Sequence, residues 1–333
     1  MVWPYTTDGH AVDHESRHAA EDRLYELLDV VPLKDDDVTH ERNIRDVLVS
    51  DDPRNEAVAN LPRKQYAAMP RMNASSLKAG MIGSSDIDPT LIRAAYEMRR
   101  PEPSSELQAS YDRGTLTHLM LLEPENLVDG VAVWKGDRRA GTEWKQFNEV
   151  NRGKLIMREA DVREVQQACR AVRSISQVNA LLRRPRATEL AVFGKCSKTY
   201  LKGLIDSVTT DDGPVTLIDL KTTSHGIEEE SVLRTIRKLH YREQLALYRE
   251  LYQQATGREV EAVYLLFVAL DVVGVRLVKL TTAALQFGMA RMRQAIEAVE
   301  VCLHKDEWPV FFAESFADVN SWEVDDDLEI EGL

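Results

Sequence analysis

Cysteine is scarce in this chain and poorly spaced for any shared task. Cys169, Cys196 and Cys302 are the only three in 333 residues, which disfavours a disulfide framework, a zinc ribbon and an iron–sulfur cluster alike. Long apolar runs are missing too. No stretch of about eighteen apolar residues occurs and no basic leader precedes an apolar segment, so neither a membrane span nor a signal peptide is expected, and the cytoplasm is the expected location. A Walker-type phosphate loop, a G-x-S-x-G elbow and a zinc-binding H-E-x-x-H are all lacking. Hydrolysis of ATP would therefore have to come from another subunit. Without internal repeats or long low-complexity linkers, the length fits one large α/β domain with appendages or two smaller domains.

Positive charge is scarce at both ends. Residues 1–60 hold 6 Lys+Arg against 15 Asp+Glu, and residues 306–333 hold none against 10. With a total of −13, residues 61–305 are left with +6. An overall acidity that looks wrong for a nucleic-acid enzyme is thus confined to the ends, around a mildly basic middle. Three regions follow. Residues 1–70 read as an acidic, partly ordered arm in which 14–31 can form a short amphipathic helix. Residues 71–305 hold the patterned domain. Residues 306–333 form an acidic tail carrying Phe311, Phe312, Phe316 and Trp322. Either end can dock a partner or restrain substrate entry, or remain solvated without a specific role.

The centre of the patterned domain is VTLIDLKTT at 215–223. At the period of a strand, Leu217, Asp219 and Lys221 share one face while Ile218 and Leu220 share the other. A second strand-like run, YLKGLIDSV at 200–208, is joined to it through TDDGP at 210–214, whose Asp-Gly dipeptide is a hairpin turn signal. Folding that hairpin brings Asp206 towards Asp219. Two carboxylates and a lysine at one end of a sheet can hold Mg²⁺ and orient water for phosphodiester hydrolysis. Downstream, YREQLALYRELY at 241–252 lacks Gly and Pro and stops before Gly257, which predicts a helix with Gln244 and Tyr248 on one face and Tyr241 three residues before Gln244.

Elsewhere the patterning predicts a capped helix start at NASSLKAGM, a helix over 88–100 and another over 113–127, on which Gly114 permits close approach to the sheet and His118 lies one turn on. On base rates a lone histidine beside leucines is a core or surface residue. VAVWKG reads as a short strand. The basic stretch 137–154 suits either a phosphate backbone or plain solvated surface. One long helix is predicted over 158–184, strands over 189–196, 199–210 and 214–223, helices within 228–255, strands over 261–271 and 274–281, and a closing helix over 282–305.

Taken together, RGTLTHLMLLEPENL, Glu189, KGLID at 202–206, IDLKTT at 218–223 and YREQLALY at 241–248 resemble the PD-(D/E)xK nucleases, and among them the RecE-like exonucleases of the exodeoxyribonuclease VIII family. The matching order and spacing span about residues 70–305. The resemblance implies an α/β, restriction-endonuclease-like fold with a mixed central sheet flanked by helices. It implies Asp206 and Asp219 as metal-binding carboxylates, His118 as an added ligand, the Leu220 carbonyl completing the shell, Lys221 acting on the attacking water, and Gln244 and Tyr248 positioning substrate. Glu189 matches an acidic position whose role can be structural, and Glu123 reads as a cap or loop ion pair. Tyr241 is the weaker member of the helix motif. The resemblance further implies Mg²⁺, with Mn²⁺ as substitute, resection of double-stranded DNA ends from 5′ to 3′, a single-strand annealing partner of the RecT kind, and a homo-oligomeric ring. Two other readings stay open. One is a non-catalytic protein binding DNA ends or recombination partners on a nuclease scaffold; the other is a helicase- or CRISPR-associated nuclease, whose iron–sulfur cluster these cysteines do not suit.

Overall fold

The computed structural model describes residues 44–48, 55–59, 61–83, 86–98, 103–136, 138–224 and 226–309. The amphipathic helix expected at 14–31 and the aromatic tail beyond 309 lie outside the described residues. Among the described residues, seven strands make the central sheet: β1 (Ala57–Val58), β2 (Met72–Asn73), β3 (Arg186–Cys196), β4 (Thr199–Thr209), β5 (Val215–Thr223), β6 (Val260–Ala269) and β7 (Gly274–Lys279). The order is β1-β3-β4-β5-β6-β7, with β2 paired to β4. β5 and β6 run parallel, as do β2 and β4, while the remaining pairs are antiparallel, so the sheet is mixed. Main helices are α1 (Arg63–Ala68), α2 (Ala74–Ala79), α3 (Pro89–Glu97), α4 (Ser105–Leu122), α5 (Gly141–Val150), α6 (Glu159–Ser174), α7 (Ser176–Arg183), α8 (Glu229–Lys238), α9 (Tyr241–Thr256) and α10 (Thr282–Lys305). A parallel pair needs a crossover, and α8 with α9 supplies it between β5 and β6.

Strand alternation assigns the two faces of β5 to two different cores. Leu217 packs with Leu245, Leu265 and Met292 on the side of α9 and α10. Ile218 and Leu220 pack with Leu116, Val165 and Leu266 on the side of α4 and α6. Each fully buried side chain of this kind contributes about 1.5–3 kcal/mol of transfer free energy. The sheet is therefore packed on both faces. On one side the packing is tight: a Cβ added to Gly114 of α4 would lie 3.1 Å from the Thr222 hydroxyl oxygen of β5.

Three features differ from the sequence reading. The core reaches upstream of the boundary expected at residue 71, since Ile44 and Val47 are buried in it and β1 pairs with β3. The helix expected over 158–184 is broken: Ile175 takes an extended conformation between α6 and α7, which lets Val178 and Leu182 turn onto the same core as Val165. The basic stretch 137–154 contains α5, whose Trp144 and Phe147 close on Trp134 at ring separations of 5.4 and 5.1 Å. Among the described residues, no helix is long and apolar enough to cross a membrane.

Candidate active site

The β4–β5 hairpin sets the geometry. Its turn is held by Asp211, which accepts from the Arg184 guanidinium at 2.6 and 2.9 Å and from the Gly213 amide at 3.2 Å. The register pairs Ser207 with Ile218 and Val208 with Leu217, which places Asp206 opposite Asp219. Beyond that point the strands exchange a side-chain bond instead: Asp206 Oδ2 accepts from the Leu220 amide at 2.8 Å.

Two further groups close on Asp206. From α4, His118 Nε2 lies 3.2 Å from Asp206 Oδ2 and 3.4 Å from the Leu220 carbonyl oxygen. From β3, Glu189 Oε1 lies 3.8 Å from His118 Nδ1. Glu189 has a left-handed backbone, φ 48°, and the β3–β4 pairing skips it, resuming at Leu190 with Ile205 after Thr188 with Ser207. A non-glycine residue in that region is strained by about 1–2 kcal/mol, and such strain gathers at functional positions. The kink aims the carboxylate at His118, while its other oxygen accepts from Arg63 at 2.7 Å. One ligating atom each from His118, Glu189 and Asp206 lie within 4.8 Å of one another.

Asp219 and Lys221 belong to the α9 side. Lys221 Nζ is 3.1 Å from Asp219 Oδ2 and 4.6 Å from the centre of the Tyr241 ring. Gln244 Nε2 reaches Asp219 Oδ1 at 3.4 Å and the Tyr248 hydroxyl at 3.3 Å. Lys78 of α2, which no sequence motif marks, fixes that amide: its ammonium donates to Gln244 Oε1 at 2.8 Å and lies 5.3 Å from the Tyr241 ring centre. An ammonium can only donate, so Oε1 faces Lys78 and the amide N–H groups face Asp219 and Tyr248. Space for Tyr248 comes from the glycine of the KGLID stretch. A Cβ on Gly203 would sit 2.8 Å from the ring.

Burial and charge crowd the site. Burial raises the Glu189 carboxyl to about 6 against the pull of Arg63. It also raises Asp219 to about 6, with Lys221 opposing and Asp206 reinforcing the rise. For His118 burial works downward, yet Asp206, Glu189 and Asp219 overcome it and lift the imidazole to about 9. Burial also opposes ionisation of Asp206, but His118, Lys221 and the Leu220 amide hold it below its ordinary value. Burial pushes the Tyr248 phenol upward, and Asp219 and Asp206 add to this, so it stays a donor.

All the expected residues gather at one end of the sheet, but in two groups. His118, Asp206 and the Leu220 carbonyl meet Glu189, whose part the sequence reading ranked lower. Asp219, expected among the metal ligands, pairs with Lys221 outside that three-residue cluster. Among the described residues, its buried Oδ2 meets the Lys221 ammonium at 3.1 Å and no other donor. Hard carboxylate oxygens and one imidazole, pressed together at the end of the sheet, fit a divalent cation. Tyr241 is buried beneath the two lysines, and Glu123 caps α4 and accepts from Asn126 at 2.7 Å.

The chain matches known proteins over most of this region. Residues 94–315 match a family described as a PDDEXK-like domain of unknown function (DUF3799). No curated protein matches the sequence. Among solved structures, the fold is similar to a candidate exonuclease from Eubacterium rectale, with a TM-score of 0.51 at 13% identity over 80% of this chain and 98% of that one. SSO0001 gives a TM-score of 0.26 at 15% identity over 56% and 84% of the two chains. VC1899 from Vibrio cholerae gives 0.19 at 11% over 62% and 54%. The first of these supports the fold; the other two are too distant to argue from.

Proposed function

The chain belongs to the PDDEXK-like domain family, and from that premise we propose that it is a divalent-metal-dependent nuclease, of the RecE-like exonuclease kind, acting on linear double-stranded DNA. The observation that carries this reading is the convergence of His118, Glu189 and Asp206 within 4.8 Å at the end of the sheet that also holds the Asp219–Lys221 pair. Asp206, Glu189 and His118 would hold Mg²⁺ or Mn²⁺, with Asp219 and the Leu220 carbonyl on the same rim. A bound divalent cation supplies Lewis acidity towards the phosphate and a more acidic water.

The protein's own groups do the rest. Lys221, held by Asp219 and by the face of Tyr241, offers an ammonium that orients the attacking water and offsets charge developing on the phosphoryl oxygens. Gln244 and Tyr248 present neutral donors towards the same rim, fixed by Lys78 and by the room at Gly203, and so position the scissile phosphate without adding charge. A role in binding alone would not need an ammonium kept 3.1 Å from a buried carboxylate. Resection from 5′ to 3′, a partner of the RecT kind for the exposed strand and a ring of copies complete the proposal; they are supported by the resemblance of the motifs.

The test is digestion of end-labelled linear duplex, with a closed circular duplex alongside, in Mg²⁺, in EDTA and with Lys221→Ala. Loss of linear duplex in Mg²⁺ alone, with the circle intact, is expected. Digestion that persists in EDTA, or that Lys221→Ala leaves unchanged, overturns the assignment. Substrates blocked at one end then read the polarity.

A further inference from the structure

Two elements that reach the metal cluster continue into a second cleft. On α4, Leu122 lies one turn beyond His118, about 6 Å along the axis. On β3, Arg186 lies three residues before Glu189, about 10 Å along the strand. With α7 they enclose a cleft of about 270 Å³ whose polar lining is Arg183, Arg184, Arg186, Thr188 and Glu125.

The arginines are not equivalent. Arg184 is spent on the β4–β5 turn, donating to Asp211, to Thr216 Oγ1 at 3.3 Å and to the Pro214 carbonyl at 2.8 Å. Arg186 donates one amino group to the Leu121 carbonyl at 3.3 Å, while the other is shielded from water and meets no acceptor among the described residues. Burial draws its guanidinium below its ordinary value, against the attraction of Glu125 and with the repulsion of Arg173. Arg183 is exposed on the same wall. A half-buried cation lining the cleft, beside a second, exposed cation and a hydroxyl, suits an anion with several acceptor oxygens.

We infer that this cleft is a phosphate subsite, in which Arg186, Arg183 and the Thr188 hydroxyl take a phosphate of the DNA strand beyond the scissile one, roughly 10 Å along β3 from Glu189. The inference rests on the nuclease reading and adds to it where the strand is gripped. Leu121 ties the subsite to the helix that carries His118, so the grip and the chemistry share one support.

The experiment measures binding of labelled linear duplex by the full chain in EDTA, where nothing is cut, across about 50–200 mM salt, for the wild type, Arg186→Gln, Arg183→Ala and the double variant. Each single variant should weaken binding about 5- to 20-fold regardless of base sequence, and each lost phosphate contact should lower the slope of log affinity against log salt by about one. Arg183→Ala, at an exposed position, keeps the test valid should Arg186→Gln fail to fold. Duplexes with a 5′-phosphate or a 5′-hydroxyl separate the sources: equal losses assign an internal phosphodiester, and a loss only on the phosphorylated end assigns the terminal phosphate. A wild type that binds and cuts duplex, with variants of unchanged affinity and slope, overturns the subsite alone. A wild type that neither binds nor cuts brings down the nuclease reading, and the subsite with it.

Discussion

His118, Glu189 and Asp206 leave 17–23% of their side-chain surface open to solvent, whereas Asp219 leaves 2%. On the open side three groups crowd one another, with the Arg63 guanidinium on one Glu189 oxygen and His118 between the two carboxylates. On the closed side every charge already has a protein partner: Lys221 for Asp219, and the Tyr241 face for Lys221 and Lys78. The open side is built to exchange a small ligand, and the closed side to keep a lysine and an amide still. The same end of one sheet thus holds a labile half and a fixed half.

The largest test of this contrast removes one group from each half. Asp206→Asn and Lys221→Ala should each lower kcat by about 10²–10⁴-fold, but only the first should also weaken activation by metal. A metal titration of Lys221→Ala that shifts as far as that of Asp206→Asn breaks the division. Glu189→Gln should cost about 10- to 100-fold and recover in part at high Mg²⁺, in the manner of a lost ligand rather than a lost support. If excess Mg²⁺ brings back nothing, Glu189 belongs to the scaffold.

Acidity sharpens the comparison. In the metal-free protein the His118 charge is favoured, a contribution full below its ordinary value of 6.5 and lost as pH rises through about 9. Glu189 and Asp219, raised to about 6, favour their protonated forms, so their contribution is likewise lost as pH rises through about 6. All three make the metal-free fold less stable with rising pH. A divalent ion competes for the places of those protons, so the rise in Tm on adding Mg²⁺ should grow from pH 6 to pH 9, by several degrees at saturating metal. Melting curves at the two pH values decide it, and an equal or larger shift at pH 6 would separate the titrating groups from the metal. The smallest effect belongs to the fixed half. Lys78→Met should lower kcat about 5- to 10-fold by freeing the Gln244 amide to turn over, with the metal requirement unaltered.

How much of this could be read from the sequence follows from how far apart the deciding partners are. The β4–β5 hairpin and α10 have the expected bounds almost residue for residue, because alternation, an Asp-Gly turn and an uninterrupted helical period are local signals. Asp206 facing Asp219 follows from that hairpin alone. His118 does not; only resemblance raised it above a core histidine. Lys78 sits in a six-residue helix and meets Gln244, which is 166 positions away, so nothing nearby in the chain marks it. The approach of Glu189 to His118 is not legible in the sequence because it depends on a positive φ that a glutamate in a strand pattern does not announce. The break at Ile175 and the contribution of Ile44 and Val47 are likewise settled by tertiary packing.

The bond from the Leu220 amide to Asp206 gives strand pairing a chemical readout. A slip of one residue between β4 and β5 would turn the two aspartates to opposite faces and take Leu217 off the core it shares with Leu245. The site and the packing beneath it therefore depend on one and the same register.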